Sequence, residues 1–298
     1  MNSDAIFPRR ALPFGTYEDR RKVLILHQPN TRRDASQDQS RKDQSCKDHY
    51  IATRLAVVLV STRNPLNIGA AARAMANFGV EDLRVVNPYE VAFREAVSAV
   101  GAGQVLRAAR VFETVAEAVA DCSLVVGTTA AQKRELQQPI EWIESGAPAI
   151  REHPGGVALL FGSEKFGLSN DDLSYCHALV SIPTSEGTPS MNLGQAVAVC
   201  LYEINRHESN PDQDQKARGS VARSVTGKDG IEGQDAEQLT LMLLDVLEKS
   251  GYTNRITSIS TEQKMRRWVR RMRFTRRDVP LLLGILRQIL WRFEEGPK

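Results

Sequence analysis

Three segments of the sequence combine residue types that could bind an anion or a nucleotide. In STRNPLNIGAAARAMANFG, Asn67 and Gly69 open a predicted helix, and Arg73 follows six residues after Asn67. Six residues correspond to about 600° of helical rotation, which leaves Arg73 off the Asn67 face but within reach of the same helix end. Free N–H groups at a helix start, with an arginine beside them, suit a phosphate or another anionic oxygen. Taken alone, the pattern also fits an ordinary capped helix with a solvent arginine.

The other two segments are loops that contain small and polar residues. FGSEKFGLS places Glu164 between Gly162 and Gly167, and glycine lets a backbone approach a ligand closely. Two glycines between a strand and a helix more often form only a turn. SIPTSEGTPSMNLGQAVAV carries Ser190 and Asn192 at a predicted helix start, where Ser190 alone would act as an N-cap. Chemistry is therefore indicated by the three segments together rather than by any one of them.

Each segment follows a predicted β-strand. Short β-branched runs alternate with helical patterns, which predicts an α/β fold with a mainly parallel sheet, and near-continuous apolar strands predict burial on both faces. Open α/β sheets bind ligands outside the carboxyl ends of their strands, so we expect the three segments to meet there. The predicted strands are 55–60, 82–87, 123–128, 157–162 and 178–183. The predicted helices in this part are 67–78, 93–99, 114–120, 139–145, 169–175 and 192–206.

Composition divides the chain of 298 residues into four parts. Residues 1–54 are polar and irregular, which predicts a flexible N-terminal extension. Residues 55–207 carry the α/β pattern, and residues 208–235 are rich in Gly, Ser, Asp and Gln, which predicts a linker. Residues 236–298 show helical periodicity and are predicted to form a small helical C-terminal extension. Its predicted helices are 236–250, 261–274 and 278–294.

Several common site types find no support in the sequence. Gly101 and Gly103 form only part of a dinucleotide fingerprint, because Leu106 stands where the third glycine is needed. No phosphate-binding G-x-x-x-x-G-K-[ST] segment occurs. The four cysteines lack C-x-x-C spacing and the five histidines are dispersed, so we expect neither a disulfide framework nor a metal site.

Hydropathy argues against a membrane or secreted protein. No apolar run approaches the roughly 18 residues that a membrane-spanning helix needs, and the N-terminus lacks the basic and then apolar plan of a signal peptide. We therefore expect a soluble cytoplasmic protein.

Positive charge is concentrated at the C-terminal end. The net charge is +4 over residues 1–54, −9 over 55–263 and +8 over 264–298. An acidic body with a basic end favours a polyanionic partner, either nucleic acid or a membrane surface.

The most basic segment is KMRRWVRRMRFTRR, residues 264–277, with 8 basic residues and no acid. At helical spacing, Arg266, Arg270, Arg273 and Arg277 form a stripe that predicts contacts with the phosphates of a nucleic acid. A solvated charge run, a helix on a membrane surface and a helix bound to a regulatory partner are the alternatives. The salt dependence of nucleic-acid binding separates these alternatives.

In their order and spacing, the three segments resemble the signature motifs of the SpoU/TrmH family of ribose 2′-O-methyltransferases, within the SPOUT superfamily. This resemblance covers about residues 55–206. In the C-terminal part, LEKSGY, KMRRWVRRM and GILRQIL resemble the helical extension of TrmJ-type tRNA methyltransferases, which modify the ribose of nucleotide 32 in the anticodon loop. The resemblance does not extend to the first 50 residues.

The resemblance implies a fold that periodicity does not predict. It implies an α/β sheet whose C-terminal segment passes through a loop as a trefoil knot, and which binds S-adenosylmethionine. Backbone groups of three loops are implied to hold the adenosine of this methyl donor, as glycine-containing loops can. The implied cofactor-binding residues are Thr128, Thr129, Ala130, Gly162, Ile182, Pro189, Ser190 and Met191.

The resemblance also implies active-site positions at Asn67, Arg73, Glu164, Ser190 and Asn192. In this family the arginine is often regarded as the base that takes the proton, but a guanidinium is essentially never deprotonated in proteins. We therefore expect Arg73 to grip the phosphate beside the target ribose and to stabilise the developing alkoxide. Asn67, Ser190 and Asn192 are expected to orient the hydroxyl or Arg73, and Glu164 to hold Arg73 or its own loop.

Two partners follow from the same resemblance. SPOUT enzymes typically build the RNA site across a dimer, so we expect a homodimer in which Arg73 acts beside the partner's cofactor pocket. The expected substrate is tRNA, and no membrane partner is expected. Methylation of ribosomal RNA by the same reaction, and RNA binding without turnover, are the alternative functions.

Overall fold

The computed structural model describes residues 54–89, 103–130, 138–206, 230–253 and 258–295. Three predicted features lie outside the described residues: the N-terminal extension up to residue 53, the helix at 93–99, and most of the linker at 208–235.

Seven parallel strands form one sheet in the order β3-β2-β1-β6-β4-β7-β5. The strands are β1 (Leu55–Val60), β2 (Asp82–Val86), β3 (Arg110–Phe112), β4 (Leu124–Thr128), β5 (Ile140–Trp142), β6 (Val157–Phe161) and β7 (Ala178–Ser181). All five predicted strands are confirmed. The trefoil knot stays a prediction.

The two short edge strands, β3 and β5, were not expected from the sequence. Residues 139–145 are predicted as a helix, and this prediction is wrong over its first part because Ile140 pairs with Leu179 of β7. The helix begins only at Ile143. Pairing with a strand that lies far along the chain overrides the local pattern.

Nine helices are present among the described residues. They are α1 (Pro65–Asn77), α2 (Gly103–Arg107), α3 (Val115–Ala118), α4 (Ile143–Glu152), α5 (Asn170–Ser174), α6 (Leu193–Asn205), α7 (Gly233–Lys249), α8 (Ser258–Arg271) and α9 (Asp278–Glu295). Apart from α2 and the shifted start of α4, each corresponds to a predicted helix with displaced ends.

Apolar side chains are buried on both faces of the sheet. Leu59 and Leu159 belong to the cluster that includes residues of α1, α4 and α6, whereas Val58 and Leu160 belong to the cluster that includes residues of α3 and α5. This arrangement confirms the prediction of a doubly covered sheet. Alternate residues of one strand enter opposite clusters because strand side chains alternate in direction.

Helices α1 and α6 cross at very short distance. A Cβ placed on Gly194, in the first turn of α6, would lie 2.5 Å from the Cβ of Ala70 in α1. Glycine is required at this crossing because any side chain would separate the two helices. The close packing brings the N-terminal ends of α1 and α6 together, and the candidate site lies at those ends.

The C-terminal extension, α7 to α9, has its own apolar cluster around Leu239, Val269 and Leu283. It is attached to the sheet domain at the start of α7, where Gly233 N donates to Cys122 O at 2.9 Å. A Cβ on Gly233 would lie 2.3 Å from the carbonyl oxygen of Val119, so glycine permits this contact. The last residues of the predicted linker therefore pack against the sheet domain.

Candidate functional site

A chain of polar side chains connects the three segments singled out in the sequence. Asn67 Nδ2 donates to Glu164 Oε1 at 3.0 Å, and Asn192 Nδ2 donates to Asn67 Oδ1 at 2.7 Å. We call Glu164, Asn67 and Asn192 the polar triad. It joins the loop after β6 to the N-terminal ends of α1 and α6.

Local capping fixes the two helix starts that carry Asn67 and Asn192. Asn64 caps α1 by accepting from Leu66 N at 2.9 Å, and Pro65 follows at the first helical position, where a missing N–H costs nothing. Asn192 caps α6 through its Oδ1, which accepts from Gly194 N at 2.9 Å. Its Nδ2 is thereby turned toward Asn67, which is 8% exposed.

Glu164 is held in its charged form. Its carboxylate accepts from the N–H groups of Arg63 at 3.4 Å and Asn64 at 3.3 Å, besides Asn67. Partial burial raises the pKa of Glu164, but the hydrogen bonds from Asn67 and the backbone outweigh burial and lower it below its ordinary value of 4.5. Glu164 therefore holds the loop after β6 against the start of α1.

A cavity of about 420 Å³ opens beside the polar triad, at the carboxyl ends of β4, β6 and β7. We call it the loop cavity. All eight residues implied as cofactor ligands line it: Thr128, Thr129, Ala130, Gly162, Ile182, Pro189, Ser190 and Met191. Apolar side chains such as Leu168 and Val180 form further parts of its wall.

The loop after β6 is very tightly folded. A Cβ on Gly162 would lie 2.0 Å from the backbone carbon of Gly167 and 2.1 Å from Leu168 N, so only glycine fits. Gly167 itself has a φ of +67°, in the left-handed region that favours glycine. The two glycines thus have separate structural requirements, and Glu164 lies on the turn between them.

Arg73 lies apart from the other predicted catalytic residues. Its side chain is exposed on α1 and makes no hydrogen bond or ion pair with any residue that the structure describes. It is six residues beyond Asn67, about 9 Å along the helix axis and on a different face. Within one chain, therefore, the structure joins Asn67, Glu164 and Asn192 and brings Ser190 to the adjoining cavity, but leaves Arg73 on the surface.

The predicted stripe of RNA-binding arginines is not one exposed face. Arg266 and Arg270 are 2% and 4% exposed, because Arg266 bonds Glu237 and Glu262 and both arginines stack on Tyr175. The prediction of phosphate contacts is wrong for these two side chains as they stand.

The other two arginines of the predicted stripe are exposed. Helix α8 ends at Arg271, so Arg273 lies beyond it with a φ of 54°, and Arg277 precedes α9. RNA contact by Arg273 and Arg277 stays a prediction.

Sequence reasoning did not select Thr184 and Phe166, which also line the loop cavity. Thr184 Oγ1 donates to Pro189 O at 3.0 Å and closes the loop after β7. Phe166 is 66% exposed at the edge of the cavity. In the sequence, Phe166 could have been recognised as a large apolar residue in a polar loop, between Lys165 and Gly167.

The described residues contain neither a metal-binding cluster nor a membrane-spanning helix. No group of three or more His, Cys, Asp or Glu side chains there could hold a metal ion. No helix within the described ranges is both long and apolar enough to cross a membrane.

Comparison with known proteins identifies this arrangement. Residues 54–202 match the SpoU rRNA Methylase family. The chain is 35% identical over 238 residues to the tRNA (cytidine/uridine-2′-O-)-methyltransferase TrmJ of Yersinia enterocolitica, covering 79% of this chain and 91% of that protein. The chain belongs to the SpoU methylase family. By this membership it is an RNA methyltransferase.

Other members of the SpoU methylase family extend the comparison. Over 155 residues the chain is 43% identical to the tRNA (cytidine/uridine/adenosine-2′-O-)-methyltransferase TrmJ of Pseudomonas aeruginosa, covering 51% of this chain and 60% of that protein. The crystal structure of TrmJ from Z. mobilis ZM4 matches with a TM-score of 0.67 at 33% identity, covering 78% of this chain and 98% of that one. The structural likeness therefore extends beyond residues 54–202.

Proposed function

We propose that this protein is an S-adenosylmethionine-dependent tRNA ribose 2′-O-methyltransferase that acts in the cytoplasm on nucleotide 32 of the anticodon loop. The observation that carries the proposal is the loop cavity, whose lining contains every implied cofactor residue and which adjoins the polar triad. Likeness to TrmJ proteins over most of the chain supports tRNA as the substrate.

The loop cavity fits S-adenosylmethionine in size and chemistry. Its volume of about 420 Å³ lies within the range of small-molecule sites, roughly 300–1,000 Å³. Thr129, Gly162 and Met191 would hold the adenosine through the backbone of their three loops, and apolar walls suit an adenine ring. When bound, S-adenosylmethionine supplies an electrophilic methyl group on a sulfonium sulfur.

The chain's own residues have three tasks in this reaction. They place the ribose 2′-oxygen in line with the methyl carbon, so that the oxygen–carbon bond forms as the carbon–sulfur bond breaks. They exclude bulk water, and they help the hydroxyl to lose its proton. Ser190 lies at the cavity and is proposed to orient the hydroxyl, while Asn67 and Asn192 fix the adjoining helix ends.

Arg73 is proposed to bind the phosphate next to the target ribose and to stabilise the negative charge that develops on the 2′-oxygen. Because Arg73 is exposed and separate from the polar triad of its own chain, we propose that it acts beside the loop cavity of a partner subunit in a homodimer. Light scattering on the active protein tests the dimer, and a fully active monomer would refute it.

The reaction is tested by incubating the protein with S-adenosylmethionine and unmodified bulk tRNA, followed by mass-spectrometric mapping of 2′-O-methylated nucleotides. We expect a new methyl group on nucleotide 32, none with Arg73→Ala, and normal methylation with Arg107→Ala, which removes an exposed arginine from α2. Arg73→Lys keeps the charge but loses the bidentate fork, and we expect it to be strongly impaired.

Each contrary result has a defined meaning. Methylation at another tRNA position would refute nucleotide 32 and retain the enzyme class. Methylation of ribosomal RNA alone would make that RNA the substrate, and no methylation of either RNA would leave RNA binding without turnover. Near-normal turnover by Arg73→Lys would refute the proposed role of Arg73.

A further inference from the structure

A second cavity, of about 460 Å³, lies where the C-terminal extension meets the sheet domain. We call it the basic cavity. Helix α8 and the turn after it form one wall. Gln138 and Pro139 before β5, together with Cys176 and His177 before β7, form the other.

The charge of the basic cavity is one-sided. Its lining includes five cationic residues: Lys264, Arg267, Arg270, Arg271 and Arg273. None of the described residues that line it is acidic. The nearby carboxylates of Asp171, Glu237 and Glu262 pair with Arg266, on the side of α8 that faces α5 and α7.

Two arginines of the basic cavity carry buried nitrogens without hydrogen-bond partners in the part of the chain that the structure describes. These atoms are Nε of Arg267 and all three side-chain nitrogens of Arg270. Among the described residues, Arg270 pairs with the carboxylate of Glu237, whose Oε2 lies 3.6 Å from Arg270 Nη2, too far for a hydrogen bond. In Arg266, by contrast, every side-chain nitrogen donates to an oxygen.

This contrast separates two kinds of arginine on one helix. Arg266 is a structural residue that is neutralised within the protein, whereas Arg267 and Arg270 are desolvated without equivalent compensation. Burial lowers the pKa of Arg270 from its ordinary 12.5 to about 10, although Glu237 opposes that shift. An anion bound in the cavity would offset these charges electrostatically, without a direct bond to the buried nitrogens of Arg270.

The rest of the cavity suits a nucleotide chain rather than a free ion. Trp268 is 37% exposed and lies among the cationic residues, where it offers a surface for a base. Lys264 and Arg271 are exposed and can reach phosphates at the entrance. The combination of cationic groups with an aromatic ring is typical of sites for single-stranded nucleic acid.

The basic cavity lies far from the loop cavity, at the opposite edge of the sheet, so it serves binding rather than methyl transfer. It lies before the first residues of β5 and β7, whereas the loop cavity lies beyond the last residues of β4, β6 and β7. From His177 to Ile182 the strand path covers five residues, about 17 Å at 3.3 Å per residue. Groups in the basic cavity therefore lie too far from the methyl transfer to act on it directly.

We propose that the basic cavity binds the phosphate backbone of the RNA substrate, with Lys264, Arg267 and Arg271 as phosphate contacts and Trp268 as a stacking surface. The inference rests on the proposed function for the identity of the RNA. It replaces Arg266 and Arg270 of the predicted stripe by neighbours on the same helix.

The test compares two double variants that remove equal charge from exposed positions. Lys264→Ala/Arg271→Ala changes the basic cavity, and Arg287→Ala/Arg292→Ala changes α9 outside it. Binding of unmodified tRNA is measured at several salt concentrations, and turnover is measured at saturating tRNA. Urea unfolding midpoints equal to that of the wild type show that each variant is folded.

For the cavity variant we expect tRNA affinity to fall at least about 10-fold, and the slope of log affinity against log salt to become shallower by about 1 to 2. Turnover at saturating tRNA and S-adenosylmethionine affinity are expected to stay within about twofold of wild type. The α9 variant is expected to bind tRNA within about twofold of wild type. Trp268→Ala is expected to weaken binding without changing the salt slope.

Three results would overturn the proposal. Equal weakening by both double variants would make the effect one of overall charge. Unchanged tRNA binding by the cavity variant would exclude the cavity as an RNA site. Loss of binding to vesicles of phosphatidylcholine and phosphatidylserine, with tRNA binding intact, would assign it to a membrane. Binding is read without catalysis, so failure of tRNA methylation leaves this test intact.

Discussion

We expect replacement of Arg266 by alanine to destabilise the protein strongly. If Arg266 belonged to an exposed basic stripe, the same replacement would weaken RNA binding and leave stability almost unchanged. The Arg266 side chain is 3% exposed, and its guanidinium bonds Glu237 at 3.0 Å, Glu262 at 2.6 Å and Ser174 at 3.1 Å. Without it, Glu237, only 16% exposed, would retain Arg270 at 3.6 Å as its cationic neighbour.

Breaking a buried ion pair by removing one partner costs about 3–5 kcal/mol, because the remaining charge stays desolvated. Glu237 keeps some solvent and a distant arginine, so the expected loss is near the lower end, about 3 kcal/mol. With a urea m value of about 2–3 kcal/mol/M, the unfolding midpoint would fall by about 1–1.5 M.

Tryptophan fluorescence during urea unfolding measures this effect, since two of the three tryptophans, Trp268 and Trp291, lie in the C-terminal extension. Arg271→Ala, on the exposed side of the same helix, is the control and should change stability by no more than about 0.5 kcal/mol. A loss below about 1 kcal/mol for Arg266→Ala would refute the reasoning that this arginine is a buried structural residue.

Three further predictions concern the loop cavity, the polar triad and acid stability. Gly162→Ala should abolish S-adenosylmethionine binding in calorimetry, because its Cβ would lie 2.0 Å from the Gly167 backbone; Gly69→Ala, with open space around it, should bind normally. Asn67→Ala removes both side-chain hydrogen bonds of the polar triad and should lower kcat/KM about 100-fold while S-adenosylmethionine affinity is retained. An equal loss of kcat/KM and of S-adenosylmethionine affinity would contradict a positioning role. Burial lowers the pKa of His177 from 6.5 to about 3, so the unfolded chain takes up this proton first and stability should fall as pH drops from about 6.5 toward 3. His177→Gln should reduce that slope in urea unfolding by up to about 1.4 kcal/mol per pH unit, and identical slopes would exclude the histidine.

The sheet and the loop cavity were predictable because local patterns determine them. The strands of the centre, such as Leu55–Val60, are continuous apolar runs between turn residues. Gly162 and Met191 lie in loops that follow strands, and parallel strands bring such loops to one edge. The family resemblance then selected the cofactor residues among many loop positions.

Features that depend on distant contacts were not predictable in the same way. Ile140–Trp142 is a strand only because β7 lies beside it, and no short-range pattern contains that neighbour. The bond between Asn67 and Glu164 joins residues 97 positions apart. The sequence pattern predicts which helix or loop carries each residue, but only tertiary packing determines which side chains come into contact.

Arg266 shows why a charge pattern alone misassigns a surface. The stripe is visible in the sequence, yet its acidic partner Glu237 lies on another helix, 29 residues earlier. Periodicity identifies which arginines share a helix face, and only the tertiary arrangement shows whether that face meets solvent, a carboxylate or a ligand.

The proposed activity of this protein is transfer of a methyl group to the 2′-oxygen of a tRNA ribose. The most direct test uses two synthetic anticodon stem-loops that differ only in the 2′-position of nucleotide 32, one with a hydroxyl and one with hydrogen. Transfer of labelled methyl from S-adenosylmethionine is then measured for both. The proposed function predicts one methyl group per ribose-containing RNA and none on the deoxy analogue, whereas equal transfer to both would contradict it.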